Sequence, residues 1–185
     1  MAENQPADLP DVVAPLAFLI GTWRGEGQGA VPGGEAPDFP YDEELTIRND
    51  DGLPWLTYST RAVHPVDRHI VLHVEHGWIR PQPAAKDGAV AVEMVVALPT
   101  GIVEVLVGEI VEGPSGPHLE LASDVIARTP TATEVSADKR LYAVRGGKLM
   151  YAIDLATGPE GLVPHLAAAL DPMPGSGLSA LPADQ

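Results

Sequence analysis

A single antiparallel β-barrel of about ten strands is the fold this sequence predicts, and three observations predict it. Segments that alternate apolar with polar side chains recur about every ten residues. Gly, Pro and Asn/Asp turn residues separate them. No long segment of helical period intervenes before residue 159, which argues for a meander of hairpins over βαβ units.

The organising stretch is 18–29, FLIGTWRGEGQG. A short apolar run ends at Gly21, and Trp23, Gly25 and Gly27 then recur at two-residue spacing, as one face of an extended strand does. Glycines inside a strand remove side chains where something must come close, and a buried Trp plugs the adjoining barrel end with an N–H that needs a partner. Just before it, Asp11 reads as an N-cap for one or two helical turns interrupted at Pro15, placed to cap that end beside Trp23.

The loop at 30–40, AVPGGEAPDFP, is longer than an ordinary hairpin connection and has the composition of a binding mouth. In 41–49, Tyr41, Glu43, Leu45 and Ile47 alternate with Asp42, Glu44, Thr46 and Arg48. An Asn49-Asp50-Asp51-Gly52 turn leads into 53–63, where Leu56 and Tyr58 oppose Trp55 and Thr57. In 68–80, Val71, His73, Glu75, Gly77 and Ile79 share one face and Leu72, Val74, His76 and Trp78 the other. Further strands are expected at 88–98, 101–112, 116–126, 133–145 and 147–157, a count of nine. A C-terminal helix is expected over 159–170, where Leu162, His165, Leu166, Ala169 and Leu170 fall at helical spacing and alanines favour helix. One domain, 11–170, follows, between a disordered N-terminus (1–10) and a Pro/Gly/Ser-rich disordered tail (171–185).

With 185 residues, 45% of them hydrophobic, the chain suffices for one sizeable core. Its net charge of −15 removes the electrostatic footprint of a nucleic-acid or anionic-membrane binder. The absence of cysteine excludes disulfides, thiolate metal sites and a Cys nucleophile. The N-terminus lacks the pattern of a signal peptide and no apolar run approaches the ~18 residues of a membrane span, so a cytoplasmic protein is expected.

Among the six histidines, His73 and His76 point to opposite strand faces, and His69 and His73 lie ~13 Å apart along one, so neither pair chelates one ion. No nucleophile elbow or phosphate loop is present, and carboxylates such as Glu43, Glu44, Glu75 and Glu104 pair by chance in so acidic a chain. His73 with Glu75 and Arg80 reads as a surface or rim network. His165 stands apart, as the one histidine of an apolar segment near the chain's last strand. It is read either as a satisfied structural histidine or as an axial haem ligand, which needs a neutral imidazole in an apolar cleft.

Three motifs bear on that choice: Gly21-x-Trp23-x-Gly25-x-Gly27; Leu72-His73-x-Glu75-x-Gly77-x-x-Arg80 followed by Pro99-Thr100-Gly101-x-x-Glu104-Val105; and Pro164-His165-Leu166-x-Ala168-x-Leu170. In this order they resemble the signature of the nitrobindin family, over nearly the whole expected domain. The first alone is shared with barrels of the lipocalin and fatty-acid-binding (calycin) type. The resemblance implies a ten-stranded barrel binding haem b, with His165 as metal ligand and sole catalytic protein group. It further implies nitric oxide binding and isomerisation of peroxynitrite to nitrate, and leaves a homodimer open. The chain departs from the family pattern in its long 30–40 loop and at Thr133, where some members carry lysine. The rival expectation is a non-enzymatic carrier of a fatty acid or other apolar ligand, its carboxylate paired by Arg61, Arg128 or Arg140; a haem-based sensor is a third.

Overall fold

The computed structural model describes residues 9–32 and 37–175, so most of the expected disordered N-terminus and tail lies outside the described residues. Ten strands form one closed barrel: β1 (Gly21–Gly29), β2 (Phe39–Arg48), β3 (Leu56–Val63), β4 (Val71–Pro81), β5 (Val90–Leu98), β6 (Ile102–Gly113), β7 (Gly116–Arg128), β8 (Ala137–Arg145), β9 (Lys148–Ala156) and β10 (Val163–Pro172). Each pairs antiparallel with its chain neighbour, and β1 closes the ring against β10.

The tenth strand corrects one expectation. The segment read as a C-terminal helix is strand β10, whose Leu166, Ala168 and Leu170 turn inward while Ala167 and Ala169 face out. A β-bulge explains the misreading. Pro164 pairs with Asp154 and Leu166 with Ile153, which leaves His165 as an extra residue on β10. Two consecutive inward residues, His165 and Leu166, break the two-residue period and imitate a helical one. The helix propensity of alanine is then overridden by the ladder on both sides of the strand.

The N-terminal cap forms as a 3-10 helix, Ala14–Leu19, which buries Leu16 and Leu19 against the barrel end. Its N-cap is Val13, without a side-chain cap, and not Asp11. Trp23 is 1% exposed and its Nε1 donates to the Leu19 carbonyl at 3.1 Å, so the plug and its partner are joined through one bond.

The glycines of β1 have a spatial reason. A Cβ on Gly27 would fall inside the ring of Tyr41, and one on Gly29 inside the ring of Phe39, both on β2. Neither glycine has a positive φ, so space and not backbone freedom requires them. Gly77 on β4 serves a closer contact, since a Cβ there would overlap the Val95 carbonyl of β5, which is backbone and cannot yield.

Trp23→Ala is expected to cost ~3–5 kcal/mol, the usual loss for a buried large aromatic, read as a lower midpoint in chemical denaturation at unchanged m-value. Gly27→Ala is expected to cost ~1–3 kcal/mol by overpacking against Tyr41, and Gly27→Ala combined with Tyr41→Ala should recover part of that loss. A double variant no more stable than the additive sum would refute the space argument.

Candidate haem cleft

One end of the barrel opens into a cleft of about 330 Å³, inside the ~300–1,000 Å³ range of small-molecule sites. Val31, Phe39, Leu72, Leu98, Ile102 and Leu155 give it apolar walls, and His73, Glu75, Glu104, Asp138, Arg140 and His165 supply its polar groups. Two bulges build the rim. His165 is the extra residue of β10, and Leu72 is the extra residue of β4, because Ala62 pairs with His73 and Val63 with Val71. Strict alternation puts Leu72 and His73 on opposite faces; the bulge lets both line the cleft.

His165 is held from behind. Its Nδ1 lies 2.7 Å from the Ala30 carbonyl oxygen, and the Ala30 amide donates to the His165 carbonyl at 2.7 Å. A carbonyl only accepts, so Nδ1 carries the proton and the lone pair stays on Nε2. Burial lowers the His165 pKa from the ordinary histidine value, against the opposing pull of the Ala30 carbonyl. A neutral imidazole with a fixed tautomer and apolar walls beside it is what an axial haem ligand requires, and these residues fit that group.

His73 from β4 meets His165 across the cleft, with ring centroids 6.4 Å apart and planes at 73°. No strand-spacing argument finds this pair, since the two residues come together only when the barrel closes. The His73, Glu75, Arg80 network expected at the surface or barrel rim is divided by the fold. Arg80 is outside, paired with Glu93, whereas Glu75 is buried. His73 Nε2 lies 3.2 Å from Glu75 Oε1, within ion-pair distance but outside hydrogen-bonding geometry.

The inner end of the cleft is a buried ion cluster. Arg140 on β8 donates to Glu75 on β4 through Nη1 and Nη2 at 2.7 and 3.0 Å, to Glu104 on β6 at 2.6 Å and to Asp138 at 2.9 Å. Its side chain is 2% exposed. Of the three arginines considered for a ligand carboxylate, Arg140 alone is interior, and its guanidinium is already engaged; Arg61 and Arg128 are exposed. Burial raises the Glu75 carboxyl, but Arg140, followed by His73, offsets that and holds it well below the usual carboxylate range. Glu104 goes the other way. Burial, partly opposed by Arg140 and reinforced by Asp138, pushes it up to about 8. One guanidinium does not neutralise three carboxylates, and Glu104 is where the cluster keeps a proton.

A family model described as a THAP4-like, heme-binding beta-barrel domain matches residues 12–171, through all ten strands. The chain belongs to this family, the nitrobindins. It is 40% identical to a peroxynitrite isomerase of Parafrankia sp., over 90% of this chain and 82% of that protein. It is 36% identical to a ferric nitrobindin-like protein of Kineococcus radiotolerans, over 92% of this chain and 98% of the relative. The crystal structure of Rv2717c from M. tuberculosis superposes with a TM-score of 0.78 at 34% identity, covering 90% of this chain and 99% of that one. The nitrobindin barrel is thus the fold of this chain, and haem binding is the property its domain family is described by.

A pH dependence follows from Glu104. Its folded pKa, about 8, lies above the ordinary 4.5, so the folded state binds the extra proton and stability declines as pH rises through that window. Glu104→Gln keeps the shape without the titration, and is expected to flatten the fall in melting temperature between pH 5 and pH 8, from about half a unit above Glu104's unfolded value to near its folded one. An undiminished slope in the variant would place the proton elsewhere.

Proposed function

We propose that this protein binds haem b through His165 Nε2 and isomerises peroxynitrite to nitrate, with nitric oxide as a further ligand, in the cytoplasm. The observation that carries the reading is the bulged His165, turned into an apolar cleft with its tautomer fixed by Ala30. Relatives at 36–40% identity that carry the name peroxynitrite isomerase support the reaction.

Ferric haem, when bound, supplies the Lewis-acidic centre on which the O–O bond of peroxynitrite rearranges. The chain's own contribution is smaller and definite. His165 offers one neutral nitrogen, and the Ala30 carbonyl holds its Nδ1 proton so that ligation needs no deprotonation. Phe39, Leu72, Leu98 and Leu155 give an apolar lining, which favours a macrocycle face and keeps water from competing there. The carrier reading is weaker, because its carboxylate anchor is missing: Arg140 is engaged by three carboxylates of the chain itself.

Haem titration of the purified protein is expected to give a Soret band that saturates at one equivalent, and His165→Ala is expected to lose it while its far-ultraviolet β signal persists. Loaded wild-type protein should accelerate peroxynitrite decay to nitrate, and the variant should not. Wild-type haem affinity in His165→Ala would remove the assignment.

A further inference from the structure

All four tyrosines of the chain, Tyr41, Tyr58, Tyr142 and Tyr151, lie inside the barrel, each at most 5% exposed. They form one connected group. The Tyr41 and Tyr151 hydroxyl oxygens are 2.7 Å apart, the Tyr151 and Tyr142 ring centroids 6.0 Å, and those of Tyr142 and Tyr58 6.3 Å. The group sits one layer beneath the cleft. Tyr41 and Tyr151 are each two residues along the same inner strand face from the cleft-lining Phe39 and Ile153, a step of about 7 Å. The space for Tyr41 is built in, since Gly27 opposite it admits no side chain.

The group also has a base. Tyr151 donates to Glu43 Oε2 at 2.6 Å, and Thr60 donates to Glu43 Oε1. Glu43 is 5% exposed and has no cation among these partners, so this carboxyl, its pKa raised by burial against the Thr60 and Tyr151 donors, is well placed to take a proton. A phenol whose proton has an adjacent acceptor gives up an electron more readily, because no separated charge is left in a low-dielectric interior.

We propose that this interior tyrosine group is a one-electron donor that quenches nitrogen dioxide radical at the cleft, with Tyr151 the residue oxidised and Glu43 its proton acceptor. The proposal rests on the peroxynitrite reading for its oxidant, since O–O homolysis of peroxynitrous acid releases nitrogen dioxide. The Tyr151 phenol gives one electron to nitrogen dioxide, which becomes nitrite, and its proton passes to the Glu43 carboxylate, leaving a neutral phenoxyl radical. Combination of that radical with a second nitrogen dioxide gives 3-nitrotyrosine, so Tyr151 is also the expected modification site.

The test uses full-length protein in two arms. In the first, apoprotein meets nitrogen dioxide radical made from nitrite by pulse radiolysis, and phenoxyl absorption is followed in time. Wild type should form the phenoxyl; Tyr151→Phe should lose most of it; Glu43→Gln should slow it several-fold. Tyr142→Phe, whose hydroxyl donates to that of Tyr58 at 3.4 Å and faces Arg140, a cation and no proton acceptor, should retain it. In the second arm, haem-loaded protein receives peroxynitrite and nitration is mapped by peptide mass spectrometry, with Tyr151 expected to lead. Near-ultraviolet circular dichroism checks folding; should Tyr151→Phe fail to fold, the Glu43→Gln rate and the wild-type nitration map decide. No phenoxyl in wild-type apoprotein, an unchanged rate in folded Glu43→Gln, or nitration led by another tyrosine overturns the proposal. The first arm needs no haem, so a failure of the haem reading leaves it intact, whereas a failure of the tyrosine donor shows there whether or not haem binds.

Discussion

Everything in this molecule depends on the seam where β1 meets β10. A ten-strand meander has two edges, and leaving them open exposes unpaired backbone donors and acceptors. Closing them brings the first strand and the last, far apart in the chain, into register from Trp23 opposite Pro172 to Gly29 opposite Leu166. The glycines of β1 let the seam close over the large rings of β2, and the bulge at its end turns His165 inward. The same residues that finish the barrel therefore make the cleft. Ala30, the first residue after β1, clamps His165 through both its amide and its carbonyl.

Beneath the cleft the barrel spends its interior on polar groups, which is costly for a core. Burying an unpaired charge costs several kcal/mol, and a buried ion pair often does no better than break even. Arg140 with Glu75, Glu104 and Asp138 ties β4, β6 and β8 across the lumen. Its strongest pairing, two bonds to Glu75, has the geometry that compensates desolvation. The third and fourth members do not balance in charge, and Asp138 Oδ1 is buried without a hydrogen-bond partner. The cluster sets the depth of the cleft with charged groups where leucines would have made a tighter and more stable plug.

Much of this was legible in the sequence, for reasons that differ from residue to residue. Nine strands were readable because a two-residue period survives wherever one face is buried, and Trp23 declared its plug role through the glycines around it. Strand β10 was misread because its bulge sets His165 and Leu166 side by side and its outward positions are alanines. The signal that corrects this is Pro164, which sits badly in a helix interior but comfortably at a bulge. His165 was singled out by its apolar surroundings and by motif. The His73 contact, the Arg140 cluster and the gathering of all four tyrosines were not readable, since each joins strands that meet only through the closed ring.

The layers inside the barrel follow a chemical order. Apolar walls and a neutral imidazole come first, where an apolar cofactor face would lie. The Arg140 cluster with Glu75, Glu104 and Asp138 comes next, its guanidinium fully engaged, so that among the described residues no interior cation is left free to hold an anionic ligand at depth. Tyrosines and the Glu43 carboxyl follow, and the Trp23 plug closes the far end. A purely structural core has no use for hydroxyls and carboxyls in two successive layers, because isosteric apolar residues would pack there at lower desolvation cost. Their placement between a sealed end and an open cleft makes sense if what enters from the open end is small and oxidising. Such a species needs no pocket of its own, only donors that it can reach through one layer of packed side chains.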